Sequence, residues 1–256
     1  DYRGSRLSHD GLRVAAVVVD PVTQKSDIWV LDLARGTSTK LTFDPENDGW
    51  PIWSLDDRKL YFTGSRQGRG AIFVKSSFGT GGDEHVYGSP GTDQMHSLAP
   101  DGLSAWIHTN VPGKPSWDIL RMTLPDGKAS LFLGTPFSEI MPAASPDGRW
   151  LAYVSDESGS NEVYVQSLTD DGGKWQISTD GGTSPTWTRG GREIVFQGRD
   201  NGLIAVEIRV TPAFSAGVPK PLFDPQIRTG IARMWDVSPD GERFIVNRAV
   251  DAPEVE

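Results

Sequence analysis

The chain has 256 residues, of which 34 are Asp or Glu and 25 Lys or Arg, and a net charge of −9. That balance argues against sequence-independent nucleic-acid binding, which requires a basic face. It contains no cysteine, which excludes disulfide frameworks and thiolate metal sites, and no apolar run approaches the length of a membrane span. Its 29 Gly and 18 Pro suit many short strands joined by turns, because the longest stretch free of both, Val22–Arg35, is only 14 residues.

In chain order, Tyr2–Leu7 leaves room for one strand before the turn Ser8-His9-Asp10-Gly11. The apolar run Arg13–Val19 follows, then Asp27–Leu33 with alternating ends, then Thr39–Phe43. The chain crosses through Asp44–Gly49 into Trp50–Trp53 and meets a second turn at Ser54-Leu55-Asp56-Asp57. The same order recurs around Ala99-Pro100-Asp101-Gly102, Ser145-Pro146-Asp147-Gly148, Thr188-Arg189-Gly190-Gly191 and Ser238-Pro239-Asp240-Gly241. These turn centres, near residues 10, 56, 101, 147, 190 and 240, lie 43–50 residues apart. In such turns Pro pre-sets φ, Asp bonds its own backbone and Gly takes positive φ, while Asp57 is among the few other residues that tolerate that region. The fifth copy has lost Asp, yet its flanks Trp187–Phe196 lie over Trp53–Phe62.

A four-stranded unit repeated with this period predicts an all-β chain, a six-bladed β-propeller of four-stranded antiparallel blades spanning 1–256 as one domain. Only two strands, Ile231–Val237 and Arg243–Asn247, remain for the sixth blade, so it is incomplete in this chain. Trp29, Trp53, Trp150 and Trp187 are expected in the core between blades.

The pattern Pro-x-Trp-Ser-x-Asp-x-x-x-Leu-x-Phe (Pro51–Phe62), with Asp27–Asp32 and Leu41-Thr42, resembles the WD-repeat-like blades of TolB-like proteins. Gly173–Thr183, Ser155–Gln166 and Val237–Asn247 are similar to the C-terminal propeller of bacterial receptor-like Ser/Thr protein kinases. That resemblance implies a domain excised from a longer protein, with a kinase domain ahead of it and an extracytoplasmic location; a cytoplasmic one stays open.

No motif of a kinase, a P-loop or a Gly-x-Ser-x-Gly nucleophile elbow is present. The turn aspartates sit in equivalent places around a ring, so they read as backbone geometry, and no cofactor or metal is expected. His9, His85, His96 and His108 show no ligand spacing. Function in a propeller is expected at one mouth of the channel, where irregular loops enter the first strands. The candidate ligand-binding residues there are Asp48, Trp50, Gln94, His96, Glu139, Thr183 and Arg233. They suit a peptide, a protein or a small polar ligand. The expected function is non-catalytic binding by a monomer, as the sensor domain of a kinase. The alternatives are a stand-alone TolB-like periplasmic interaction propeller and a propeller-type glycosidase or lyase. For the last, Asp48 and Glu139 are the one carboxylate pair to nominate.

Overall fold

The computed structural model describes residues 2–124, 126–169, 172–211, 213–227 and 233–248. Each of the first five repeats folds into a small antiparallel sheet whose strands follow one another in chain order. Blade 1 comprises β1 (Tyr2–Leu7), β2 (Arg13–Val19), β3 (Ser26–Asp32) and β4 (Thr37–Lys40). Blade 2 comprises β5 (Asp48–Trp53), β6 (Lys59–Arg66), β7 (Arg69–Ser76) and β8 (Glu84–Tyr87). Blade 3 holds β9 (Thr92–Leu98), β10 (Ser104–Asn110), β11 (Asp118–Thr123) and β12 (Lys128–Leu133). Blade 4 holds β13 (Glu139–Ala144), β14 (Trp150–Ser155), β15 (Glu162–Ser167) and β16 (Lys174–Gln176). Blade 5 has β17 (Thr183–Thr188), β18 (Glu193–Gln197) and β19 (Leu203–Arg209), with β20 (Ser215–Ala216) and β21 (Lys220–Phe223) both pairing β19.

The sixth repeat forms only a two-stranded sheet, β22 (Trp235–Val237) and β23 (Phe244–Val246). The expected count of six is therefore corrected to five blades. After β23 the described chain offers one isolated bridge, between Arg248 and Ile227, and no further strand. The first part of the expected strand Ile231–Val237 lies outside the described residues. The hairpin docks between the two ends of the fold: Asp236 Oδ2 accepts from Leu7 N at 2.8 Å, and Ile227, Met234, Trp235 and Val237 pack with Val195, Leu203 and Ala205 of blade 5.

The core lies between blades. Alternate residues of a strand face opposite sides, so a middle strand can bury both faces. In β18, Ile194 and Phe196 pack toward blade 4, with Val163 and Val165, while Val195 packs toward Trp235. The other interfaces repeat this scheme: Ile28 and Leu41 against Leu60 and Phe62, Ile72 against Met95 and Ile107, and Trp106 and Ile119 against Leu151 and Tyr153. Trp53 and Trp187 each tie a blade to the preceding one, through Nε1 donating to Arg6 O at 3.0 Å and Ala143 O at 2.9 Å. Trp29 is half-buried and belongs to none of these clusters, contrary to expectation, whereas Trp106 and Trp235 are the fully buried tryptophans.

The repeated turns serve the backbone. Ser8 Oγ donates to Asp10 Oδ1 and Ser54 Oγ to Asp56 Oδ1, each at 2.6 Å; Ser145–Asp147 repeats this at 2.6 Å, and Ser238–Asp240 makes the same bond. Each of these carboxylates also accepts the backbone N–H two residues on, and these bonds lower the pKa of all four. Gly148 has φ +70° and Asp57 φ 56°, the positive-φ position of the turn. Asp57 does more than fill that position: its carboxylate accepts from the backbone N–H of His9 and Asp10, both at 3.0 Å, locking the first turn to the second.

Candidate functional site at the channel mouth

The inner strands break their pairing at a common place. Register shifts fall at Gly49/Ile52 in blade 2, Ile140/Ala143 in blade 4 and Thr183/Thr186 in blade 5. The skipped residues are Trp50-Pro51, Met141-Pro142 and Ser184-Pro185. Proline has no N–H to give the ladder, so it drives each inner strand into a bulge. The residue ahead of it is then held at positive φ: Trp50 at 49°, Met141 at 54° and Ser184 at 55°. Each non-glycine residue there costs about 1–3 kcal/mol, and such strain concentrates at functional sites. In blade 3 the bulge leaves out His96, and in blade 1 Gly4.

Trp50, Met141 and Ser184 border a cavity of about 590 Å³ that is also lined by Gln94, His108, Trp117, Asn161, Thr183 and Arg199, among others. A slot of about 30 Å³, bordered by Arg6, Trp50, His96, Met141, Ser184 and Arg233, shares three of them. A third cavity of about 310 Å³, with Arg3, Arg6, Asn47, Trp50 and Arg233, adjoins Trp50 on the blade 1 side. Of the seven residues expected from the sequence, Trp50, Gln94, His96, Thr183 and Arg233 line these cavities.

Asp48 and Glu139 do not, and the structure does not bring them together. They occupy equivalent positions at the start of β5 and β13, with blade 3 between them, and both are buried. Asp48 is sealed by Arg66, 2.8 Å from its Oδ1, and Glu139 by the hydroxyl and N–H of Thr135. Burial raises the pKa of both, against the lowering effect of those partners. Asp93 holds the same position in blade 3 and accepts from Ser89 N at 2.6 Å. Glu139 and Asp93 fasten the chain as it crosses between blades, and Asp48 does so through Arg66, which also pairs with Asp44 of that crossing at 3.1 Å.

The pairing of His96 and His108, twelve residues apart, escaped the sequence reading. The bulge at His96 brings its Nε2 to 3.3 Å from His108 Nε2, with ring centroids 4.3 Å apart. His108 Nδ1 accepts the backbone N–H of Met141 at 3.2 Å, and its Nε2 lies 2.8 Å from Gln94 Oε1. With Nδ1 accepting, the neutral ring carries its proton on Nε2 and donates to Gln94. A metal-ligating histidine needs the reverse wiring, with the far nitrogen donating. Among the described residues no cluster of three His, Cys, Asp or Glu could hold a metal ion. Burial lowers His108 to about pKa 3, and burial together with His108 lowers His96 well below its ordinary value, so both rings are neutral at pH 7.

Arg233 Nη2 pairs with Asp236 Oδ1 at 2.7 Å, and its guanidinium lies 4.6 Å from the Trp235 ring. Arg6 makes a 3.4 Å bond to the Ser5 carbonyl; burial and repulsion by Arg233 lower its pKa to about 9, so it stays charged.

No family model matches the chain. It is 24% identical over 184 residues, 67% of its length, to an uncharacterized protein of Agrobacterium fabrum, and spans 61% of that protein. Among solved structures it resembles TolB from Acinetobacter baumannii, with a TM-score of 0.65 and 22% identity, covering 88% of this chain and 55% of that one. It also resembles a putative TolB from Agrobacterium tumefaciens, with a TM-score of 0.68 and 20% identity, covering 88% of this chain and 81% of that one. The chain thus has a TolB-like β-propeller fold, and it spans about three-fifths of the curated relative it matches.

Proposed function

We propose that this propeller is a non-catalytic binding domain that receives a peptide or small polar ligand at the mouth of its channel. A propeller fold hosts binding proteins and enzymes alike, so the argument rests on the site. The observation that carries it is the set of bulges. Three unrelated side chains, Trp50, Met141 and Ser184, are held at positive φ around one cavity of about 590 Å³. The lining combines apolar faces with amide and hydroxyl groups, as binding sites for polar ligands do. No carboxylate lines it, and the buried acids Asp48 and Glu139 are engaged by Arg66 and Thr135, which speaks against acid/base glycoside cleavage. Among the described residues no helix is long and apolar enough to cross a membrane.

In the whole protein we place this domain outside the cytoplasm, as the sensor part of a receptor-like Ser/Thr kinase, on the strength of the sequence resemblance. Sequencing the complete gene tests that placement: a kinase domain and a membrane span ahead of Asp1 support it, and a free-standing propeller refutes it. The binding role is tested by thermal-shift screening of peptides and small polar compounds on the wild type and Trp50→Ala. Hits that stabilise the wild type and not the variant are expected. Hits indifferent to Trp50 would contradict the site.

A further inference from the structure

We propose that the channel is an anion site that captures its ligand by a carboxylate seated beside Arg6 and Arg233. The inference rests on the binding role above and names the chemistry of the ligand. The three cavities share Trp50; the slot and the 310 Å³ cavity also share Arg6 and Arg233. Arg3, Arg6, Arg199 and Arg233 are among their lining residues, and not one lining residue is Asp or Glu, in a chain that has 34 of these. Such segregation against a net charge of −9 makes the channel locally positive on an acidic molecule.

The charge count within the slot is uneven. Asp236 serves Arg233 and the Leu7 N–H. Arg6 has no carboxylate within ion-pair distance among the described residues, and donates to the Ser5 carbonyl at 3.4 Å. Two guanidiniums therefore share the one carboxylate of Asp236, which acts on Arg6 only at longer range, and the surplus positive charge lies in a half-buried place where the Arg6 fork is suited to a bidentate carboxylate. The neutral imidazoles of His96 and His108 add no charge, so the positive potential comes from the arginines. The slot, about 30 Å³, is the smallest of the three cavities and exceeds the roughly 10–15 Å³ that one water needs, so it suits a small anionic group. The body of the ligand is placed in the larger cavity, against Trp50 and Trp117.

The test is isothermal titration of the full chain at low salt with pooled N-acetylated tetrapeptides, ending in either a free carboxylate or an amide, and separately with succinate. Binding of the free-carboxylate pool or of succinate, and not of the amidated pool, is expected, and which of the two binds identifies the source of the carboxylate. Arg6→Gln should weaken binding by at least about tenfold and Arg6→Lys by less. Adding 0.5 M NaCl to the wild type should weaken it too, a readout independent of any variant's folding. Equal binding of the amidated pool, or indifference to both salt and Arg6, overturns the anion site and leaves the binding role standing. Failure of every probe overturns both.

Discussion

The two ends of the inner strands are made from the same repeats and spend their polar residues in opposite ways. At the turn end, serine and aspartate bond to one another and the aspartate to the backbone N–H two residues on, in blades 1, 2 and 4 and in the C-terminal hairpin. At the channel end, bulges break the ladder, with prolines in blades 2, 4 and 5, and each blade presents a different residue: Gly4, Trp50, His96, Met141 and Ser184. Regularity marks what the fold needs in every blade. Irregularity, held at a cost in backbone strain, marks where one blade is asked to do something its neighbours do not.

The largest separation of the two roles comes from the core between blades. Phe62 is fully buried against blade 1, so Phe62→Ala should cost about 3–5 kcal/mol in urea unfolding, without touching the channel lining. A loss below about 1 kcal/mol would mean the blades are not held by these interfaces. Next is the pH dependence. His108 has a folded pKa of about 3 against an ordinary 6.5, so between those values the unfolded chain takes up a proton that the folded one refuses. Stability from this group is present above pH 6.5 and declines as pH falls toward 3. Asp48 and Glu139, with raised pKa values, act in the opposite sense, favouring the folded state where they are protonated, and they are common to both proteins compared. The wild type should therefore lose more stability than His108→Phe when pH is lowered from 7 to 4, and parallel curves would refute the buried neutral imidazole.

Much of this was legible. The Ser-x-Asp-Gly period placed the strands, and β1 and β2 fall on the expected residues. What hid the rest was local backbone geometry. The dipeptides Trp50-Pro51, Met141-Pro142 and Ser184-Pro185 recur six residues ahead of their turn centres, a signal of the bulges that hydrophobic periodicity passes over. His96 and His108 could not be paired by alternation, because the bulge moves His96 out of register. Asp48 and Glu139 read as ligand-facing acids at the channel mouth, since nothing in their spacing announces that Arg66 and Thr135 seal them.

Smaller effects sharpen the contrast from each side. Asp147→Ala removes the bonds from Ser145 Oγ and Arg149 N and should cost about 1 kcal/mol while leaving ligand capture unchanged. Met141→Gly relieves a positive φ of 54° and should leave stability equal or raise it by up to about 1 kcal/mol while weakening capture. A clear destabilisation would show that the bulge is held by packing of Met141 and not against strain.

The most direct measurement sets one residue of each kind side by side. Titration of the free-carboxylate tetrapeptide pool into the wild type, Trp50→Ala and Asp147→Ala, followed by calorimetry at one pH and salt, reads the two ends in the same units. A channel-mouth site predicts affinity lowered at least about tenfold by Trp50→Ala and unaltered by Asp147→Ala. Equal loss in both variants, or loss in Asp147→Ala alone, would contradict it and return function to the repeated turns.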